Sequence, residues 1–236
     1  MPNLLRFFTR SCSASCSAGV EATKQQLRAL LRETAQPVAV VASFMPLDAS
    51  PRSEDNPKKS AFHGATLSSF TSIAMDPIPL VTFALRIPSR MASSLNSSPP
   101  HSPSDMVINI LSAKQASIAT SFSRPDLHAY PFSSIPYFLT PEGLPVIQGS
   151  LGAISCKLVS RGLPLHDARF LQQRQVEETP YESPPGQVVS QLFIAQVMRV
   201  EALENGGKVG DALPLLYHRR AFTSCIPGDI STPKPV

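Results

Sequence analysis

Apolar positions along the chain fall into two rhythms. Leu27, Leu30 and Leu31 recur at helical spacing, with Thr23 and Gln26 ahead of them at capping-box spacing. A helix is therefore predicted over residues 23–35, stopped by Pro37. Residues 38–42 (VAVVA) show no alternation, which predicts a strand covered on both faces. Residues 63–85 predict a strand, a turn through Pro77 and Pro79, and a second strand over 80–85. A short helix over 89–96 would turn Met91 and Leu95 inward. MVINIL, residues 106–111, predicts a core strand. Ser112 and Gln115 then repeat the capping-box spacing ahead of a helix striped by Ile118, Ala119 and Phe122 and ended by Pro125. Residues 151–159 alternate, with Ile154, Cys156 and Leu158 on one face and Ser155 and Lys157 on a wet one. LFIAQVMRV, residues 192–200, predicts another core strand.

The segments between are of loop type. They are 45–62, the SSPPHSPS stretch at 97–104, an aromatic-rich irregular run at 126–140, a turn at 145–149, and a polar, Pro-rich stretch at 166–187. The chain has 24 prolines in 236 residues, and they gather in a few such stretches. That is roughly double the usual share of about 5%. Short strands, two or three helices and no βαβ rhythm predict a mainly β, α+β fold: an antiparallel β-barrel with flanking helices. No internal repeat is visible. The folded domain is expected at 23–225, with a Pro-rich tail at 226–236.

Charge sharpens the domain reading. The net charge is +4, and residues 1–32 carry all of it, with Arg6, Arg10, Lys24, Arg28 and Arg32 against Glu21. That leaves 16 of the 21 basic residues and 16 of the 17 acidic ones for the rest, a neutral body. A neutral body with no Trp and no basic run interleaved with aromatics does not point to nucleic acid. Residues 1–22 hold Arg6, Arg10, many Ser and little acid, and Leu4, Phe7, Phe8 and Ser11 share one helical face. This is the composition of a mitochondrial transit peptide. The alternative is a disordered tail on a cytoplasmic protein. No stretch of about 18 apolar residues predicts a transmembrane segment.

The four cysteines make no disulfide framework. Cys12 and Cys16 lack a His or Cys mate at zinc spacing, so no metal site is expected. Cys156 reads as a buried small hydrophobe. His166-Asp167 and Glu177-Glu178 lie in polar loop sequence and read as surface, and no Ser-His-Asp order competes for a catalytic role.

The chemistry gathers in HGATLSSFTSIAMDPIPLVTFAL, residues 63–85, and the RIPSR that follows. Small hydroxyl residues over 68–72 let backbone approach a flat polar ligand. Ser89 beside Arg90 at a helix start can hold a phosphate. This segment resembles the flavin-binding region of the flavin reductase-like family, whose fold is the FMN-binding split β-barrel. The order of pieces agrees over residues 27–225: a helix and Val-rich strand, the hydroxyl loop and Pro-ended turn, MVINIL and its helix, GLPVIQGSLGAISCKL at 143–158, and PLLYHRRAF at 214–222.

The resemblance implies a homodimer with FMN near the interface. It places Ser69, Phe70, Thr71, Ser72, Ile73 and Ala74 along the isoalloxazine edge, with Ser89, Arg90 and the backbone of Met91 on the phosphate. Ser123 and Arg124 would add a distal contact. It implies hydride passing from NAD(P)H to bound FMN with no side chain acting as acid or base, so no catalytic residue is nominated. Two other roles stay open: a flavin-holding protein without turnover, and a reductase component feeding a separate oxygenase. One departure stands out. The family often has Gly-Asp-His where this chain reads Val188-Val189-Ser190, so Ser190 stands at the position of the His. His218, in the closing motif, reads as structural.

Overall fold

The structure is a computed structural model and describes residues 11–45, 61–99, 101–165, 189–202 and 213–225. Outside these lie most of the expected loop at 45–62, nearly all of 166–187 (with His166, Asp167, Glu177 and Glu178), Val188, the tail, and the first ten residues of the expected presequence.

In chain order the elements are α1 (Ser11–Arg32), β1 (Gln36–Pro37), β2 (Ala39–Phe44), β3 (Phe62–Leu67), β4 (Thr71–Ala74), β5 (Leu80–Ile87) and α2 (Arg90–Asn96). Then come β6 (Met106–Ile110), α3 (Ala116–Ser123), β7 (Tyr137–Leu139), β8 (Pro145–Ile147), β9 (Gly152–Leu158), β10 (Leu163–Pro164), β11 (Val189–Glu201), β12 (Leu216–His218) and β13 (Ala221–Thr223). The main sheet runs β3-β2-β6-β9-β11-β5-β4, with β10 added on β11. Every pairing is antiparallel.

Chain connectivity forces this sheet to curl. β3 and β4 are its opposite edges, yet only Ser68, Ser69 and Phe70 join them. Seven flat strands would hold those edges about 29 Å apart, and the connection spans about 14 Å at most. The edges must therefore approach, and the expected antiparallel barrel is realised as a curled half-barrel. Ser69, within that connection, extends the β4–β5 pairing: its hydroxyl accepts from Ala84 N–H at 3.0 Å and lies 3.3 Å from Ala84 O.

One core fills the inside: Ala39, Val41, Leu67, Phe83, Met106, Ile108, Cys156 and Phe193, closed by Met91, Ala92 and Leu95 of α2. Phe83 and Phe193 stack at 5.5 Å. A second core lies on the other face of β2 and β3, under α3, with Val38, Val40, Phe62, Phe122, Phe132 and Leu215. Gly64 allows this layer to close, since a Cβ there would lie 2.6 Å from the Phe122 ring. Thr66 Oγ1 donates to Ala119 O at 2.6 Å. The second predicted capping box is present: Gln115 Oε1 accepts from Ser112 N–H at 3.0 Å, ahead of a 3-10 turn that leads into α3.

Five expectations needed correction. The first helix starts earlier than predicted and runs unbroken across residues 22 and 23, so Thr23 is not a cap; its Oγ1 donates to Gly19 O at 3.0 Å. The stripe of this helix does not pack: Leu27 is 53% exposed and Leu30 65%. The helix is tied at its end instead, by Arg219 N–H to Arg32 O at 3.2 Å and an Arg219–Glu33 ion pair.

Residues 71–74 belong to β4 and not to a loop, so the 63–85 segment contributes to three strands. The expected turn at 145–149 is largely β8, paired with β7, and only Gly149 (φ +80°) turns the chain. Ser155 is fully buried, because a small core of Val107, Leu144, Val146 and Ala153 covers the face predicted to be wet. Its hydroxyl donates to Glu201. Beside it, Arg199 grips Glu142 through two bonds of 3.0 and 2.6 Å and also reaches Glu201. The described part of 97–104 has neither helix nor strand, as predicted.

Candidate functional site

The seam between β3 and β4 is where polar groups gather. β4 is an edge strand, paired with β5 on one side only, so its other row of backbone groups is open to solvent. Thr71 sits opposite Thr82 and Ser72 opposite Val81; a bulge at Ile73 then brings Ala74 opposite Leu80. Ser69, Thr71, Ser72 and Ile73 are exposed, while Phe70 tucks its ring against the inner core. Of the hydroxyls, Ser69 is held by Ala84 and Thr71 Oγ1 donates locally to Ser72 O at 3.3 Å. The Ser72 hydroxyl and the outer backbone edge of β4 remain for a flat polar ligand.

The second cluster follows β5. Ser89 is the N-cap of α2, with extended backbone (φ −148°, ψ 143°) and its Oγ accepting from Ala92 N–H at 3.1 Å. The hydroxyl proton is left to donate outward. Arg90 follows, exposed and without a carboxylate partner among the described residues. Met91 is 1% exposed, so its side chain seals the core and leaves only its backbone near the surface. These three residues keep the order the sequence suggested, because the apolar spacing of Met91, Ala92 and Leu95 turns α2 onto the barrel and pushes Arg90 out.

Sequence reasoning assigned no role to His63. It lies on β3 opposite Ser43, on the face that sends Ala65 and Leu67 into the inner core. Its pKa is pushed down to about 4, first by burial and then by the Arg90 guanidinium. His63 is therefore neutral near pH 7, and the Arg90 charge at the start of α2 reaches it. The period-two alternation of HGATL was the available signal.

Ser123 and Arg124 end α3, which packs on the opposite face of β3 from α2. Ser123 Oγ donates to Thr120 O at 2.9 Å. Arg124 is clamped on Asp126 by bonds of 3.0, 3.3 and 2.9 Å, which raises the pKa of the guanidinium and lowers that of the carboxyl. The two arginines of the expected site thus differ: Arg124 has a local carboxylate and Arg90 has none among the described residues.

Cys156 is fully buried, and burial raises its thiol pKa to about 12, so it is an inert core residue. Ser190 stands opposite Arg86 on the β5–β11 ladder. His218 lies in the β12–β13 hairpin opposite Ala221. Among the described residues no helix is long and apolar enough to cross a membrane.

Solved structures of similar fold include nitrilotriacetate monooxygenase component B from Mycobacterium thermoresistibile. It is 22% identical, with a TM-score of 0.60, over 92% of this chain and 94% of that one. The NADH:FAD oxidoreductase SgcE6 of Streptomyces globisporus C-1027, in complex with NAD and FAD fragments, is 20% identical with a TM-score of 0.58, over 87% and 94%. The styrene monooxygenase flavin reductase of Pseudomonas putida S12 is 22% identical with a TM-score of 0.56, over 85% and 97%. These likenesses show the split-barrel fold. The sequence also matches the flavin reductase like domain over residues 31–225, most of its length, and the chain belongs to that family.

Proposed function

We propose that this protein is an FMN-dependent oxidoreductase of flavin reductase type that passes hydride from NAD(P)H to bound FMN. One observation carries the reading: the open strand edge of small residues at 71–74 pairs with β5, and β5 leads directly into Ser89 and an exposed Arg90 with no carboxylate partner among the described residues. A flavin mononucleotide has the matching chemistry, a flat ring with polar edge atoms at one end and a phosphate at the other. Residues 69–74 would meet the ring edge, mainly through backbone groups. The Ser89 hydroxyl, the Arg90 guanidinium and the Met91 backbone would hold the phosphate. His63, neutral and beside Arg90, adds a polar group there without adding charge. Ser123 and Arg124 would join as the distal contact only where the Arg124–Asp126 pair opens.

FMN, when bound, supplies the hydride acceptor; the chain supplies position and a low-dielectric wall. Phe70 anchors the strand edge in the core, and the Ser69–Ala84 bonds stop that edge from sliding along β5. The SgcE6 structure holds NAD and FAD fragments, which supports a flavin and a pyridine nucleotide as the paired ligands. A homodimer, as the resemblance implies, would cover the open side of the barrel. Arg6, Arg10 and the amphipathic start of the chain support a mitochondrial address.

The visible spectrum of the purified protein, followed by oxidation of NADH and NADPH with FMN present, tests the reading. Flavin absorbance with consumption of either nucleotide is expected. A colourless protein that ignores added FMN would overturn it. Ser190 favours a second reading, a flavin holder without turnover, which predicts bound FMN and no nucleotide oxidation.

A further inference from the structure

We propose that Arg86, with Ser190 beside it, binds a phosphate group of the reduced pyridine dinucleotide. The inference rests on the flavin reductase reading above and adds to it the residues that choose the second ligand.

Alternation decides where Arg86 points. Val81, Phe83 and Leu85 are buried in the core inside the barrel, so Leu80, Thr82, Ala84 and Arg86 lie on the outward face of β5. On β11, Phe193 and Ala195 point inward, so Ser190, Leu192 and Ile194 point outward. The register sets Thr82 opposite Ile194, Ala84 opposite Leu192, and Arg86 opposite Ser190. Residues so placed have Cβ atoms about 4.5–5.5 Å apart. The result is a half-buried, largely apolar strip that ends in a guanidinium and a hydroxyl.

Two further observations give the strip a use. It begins at the proposed flavin edge, since Thr71 is opposite Thr82 and the Ser69 hydroxyl is bonded to Ala84. Arg86 is exposed and, like Arg90, has no carboxylate partner among the described residues. A flat apolar floor with a cation at its end suits a planar ring that carries phosphate. Arginine suits the phosphate better than lysine does, because its planar fork matches two oxygens at once. Arg90 is assigned to the flavin phosphate, and Arg86, at the end of this strip, is placed for a second ligand.

The test compares Arg86→Gln and Arg86→Lys with the unsubstituted full chain. FMN Kd is measured by fluorescence quenching, then KM and kcat with NADH and NADPH at low and high salt, with thermal melting of each protein alongside. Expected are FMN Kd within about twofold, KM raised about tenfold in the glutamine variant and partly restored in the lysine variant, little change in kcat, and a flatter salt dependence of KM. A rise for NADPH alone assigns the 2′-phosphate, and a rise for both nucleotides assigns the pyrophosphate. Unchanged KM with FMN binding intact overturns the inference and leaves the flavin reading standing. Lost FMN binding in a folded Arg86→Gln also overturns it, by making Arg86 a flavin ligand. Should the glutamine variant not fold, the lysine variant decides, since unchanged KM and salt dependence there overturn the proposal. An unsubstituted protein that takes no FMN, or takes it and oxidises neither nucleotide, removes the reading beneath it.

Discussion

The Ser69 hydroxyl is engaged by a single residue, Ala84: its Oγ is 3.0 Å from Ala84 N and 3.3 Å from Ala84 O. That contact ties the β3–β4 connection to β5 and extends the β4–β5 pairing. Removing it should loosen that pairing and the β4 edge together. Ser69→Ala is expected to lose about 0.5–1.5 kcal/mol of stability, the net worth of such a bond. Urea unfolding measures this. No loss of stability would mean that backbone pairing of β4 with β5 alone holds the edge strand.

Arg90 and Arg124 should separate cleanly under substitution. Arg90→Ala is expected to weaken FMN binding by roughly 1.5–3 kcal/mol, the range of a hydrogen bond to a charged group. Arg124→Ala should change it less than about twofold, because that guanidinium already serves Asp126 and an exposed pair contributes little. FMN fluorescence quenching reads both. Equal losses would restore Arg124 to the site.

His63 makes stability depend on pH in a defined window. Its pKa falls from 6.5 to about 4 on folding, so between these values the unfolded chain binds more protons than the folded one. Stability should therefore rise with pH from about 4 to 6.5 and level off above. His63→Gln should flatten that slope. Glu142 acts lower: Arg199 holds its pKa at about 2 against 4.5, so its contribution is present above 4.5 and is lost as pH falls towards 2. Denaturant midpoints against pH for the single variants check the two windows separately.

Gly64 is set by space. A Cβ there would lie 2.6 Å and 2.7 Å from two atoms of the Phe122 ring and 3.3 Å from Val41 O. Gly64→Ala should cost about 1–3 kcal/mol, as forced overpacking does. Pairing it with Phe122→Leu should recover part of that loss in a double-mutant cycle. Additive losses would show that the ring is not the obstacle.

Much of this fold was legible along the chain. MVINIL and LFIAQVMRV were unmistakable because their apolar content exceeds what any exposed strand needs, and Ser112 with Gln115 marked a helix start that the structure keeps. The outward placement of Arg90 on α2 was legible for a similar reason, since the inward positions of a short helix determine which neighbours face out. The Thr23 cap failed because propensity sees only the local turn, and the helix had begun earlier. Ser155 was misjudged because its cover comes from Leu144 and Val146, close in space and distant from the alternation that predicted a wet face.

The sequence by itself determined the elements, the neutral body and the hydroxyl-rich segment beside an arginine. It did so because hydrophobic period, caps and turn residues act over a few positions. Only the tertiary structure decided that the Arg90 charge reaches His63, that Arg124 is held by Asp126 while Arg90 has no carboxylate partner among the described residues, and that Arg86 stands across from Ser190. Strand order and register determine those relationships, and they follow from closing a sheet whose two edges are joined by three residues.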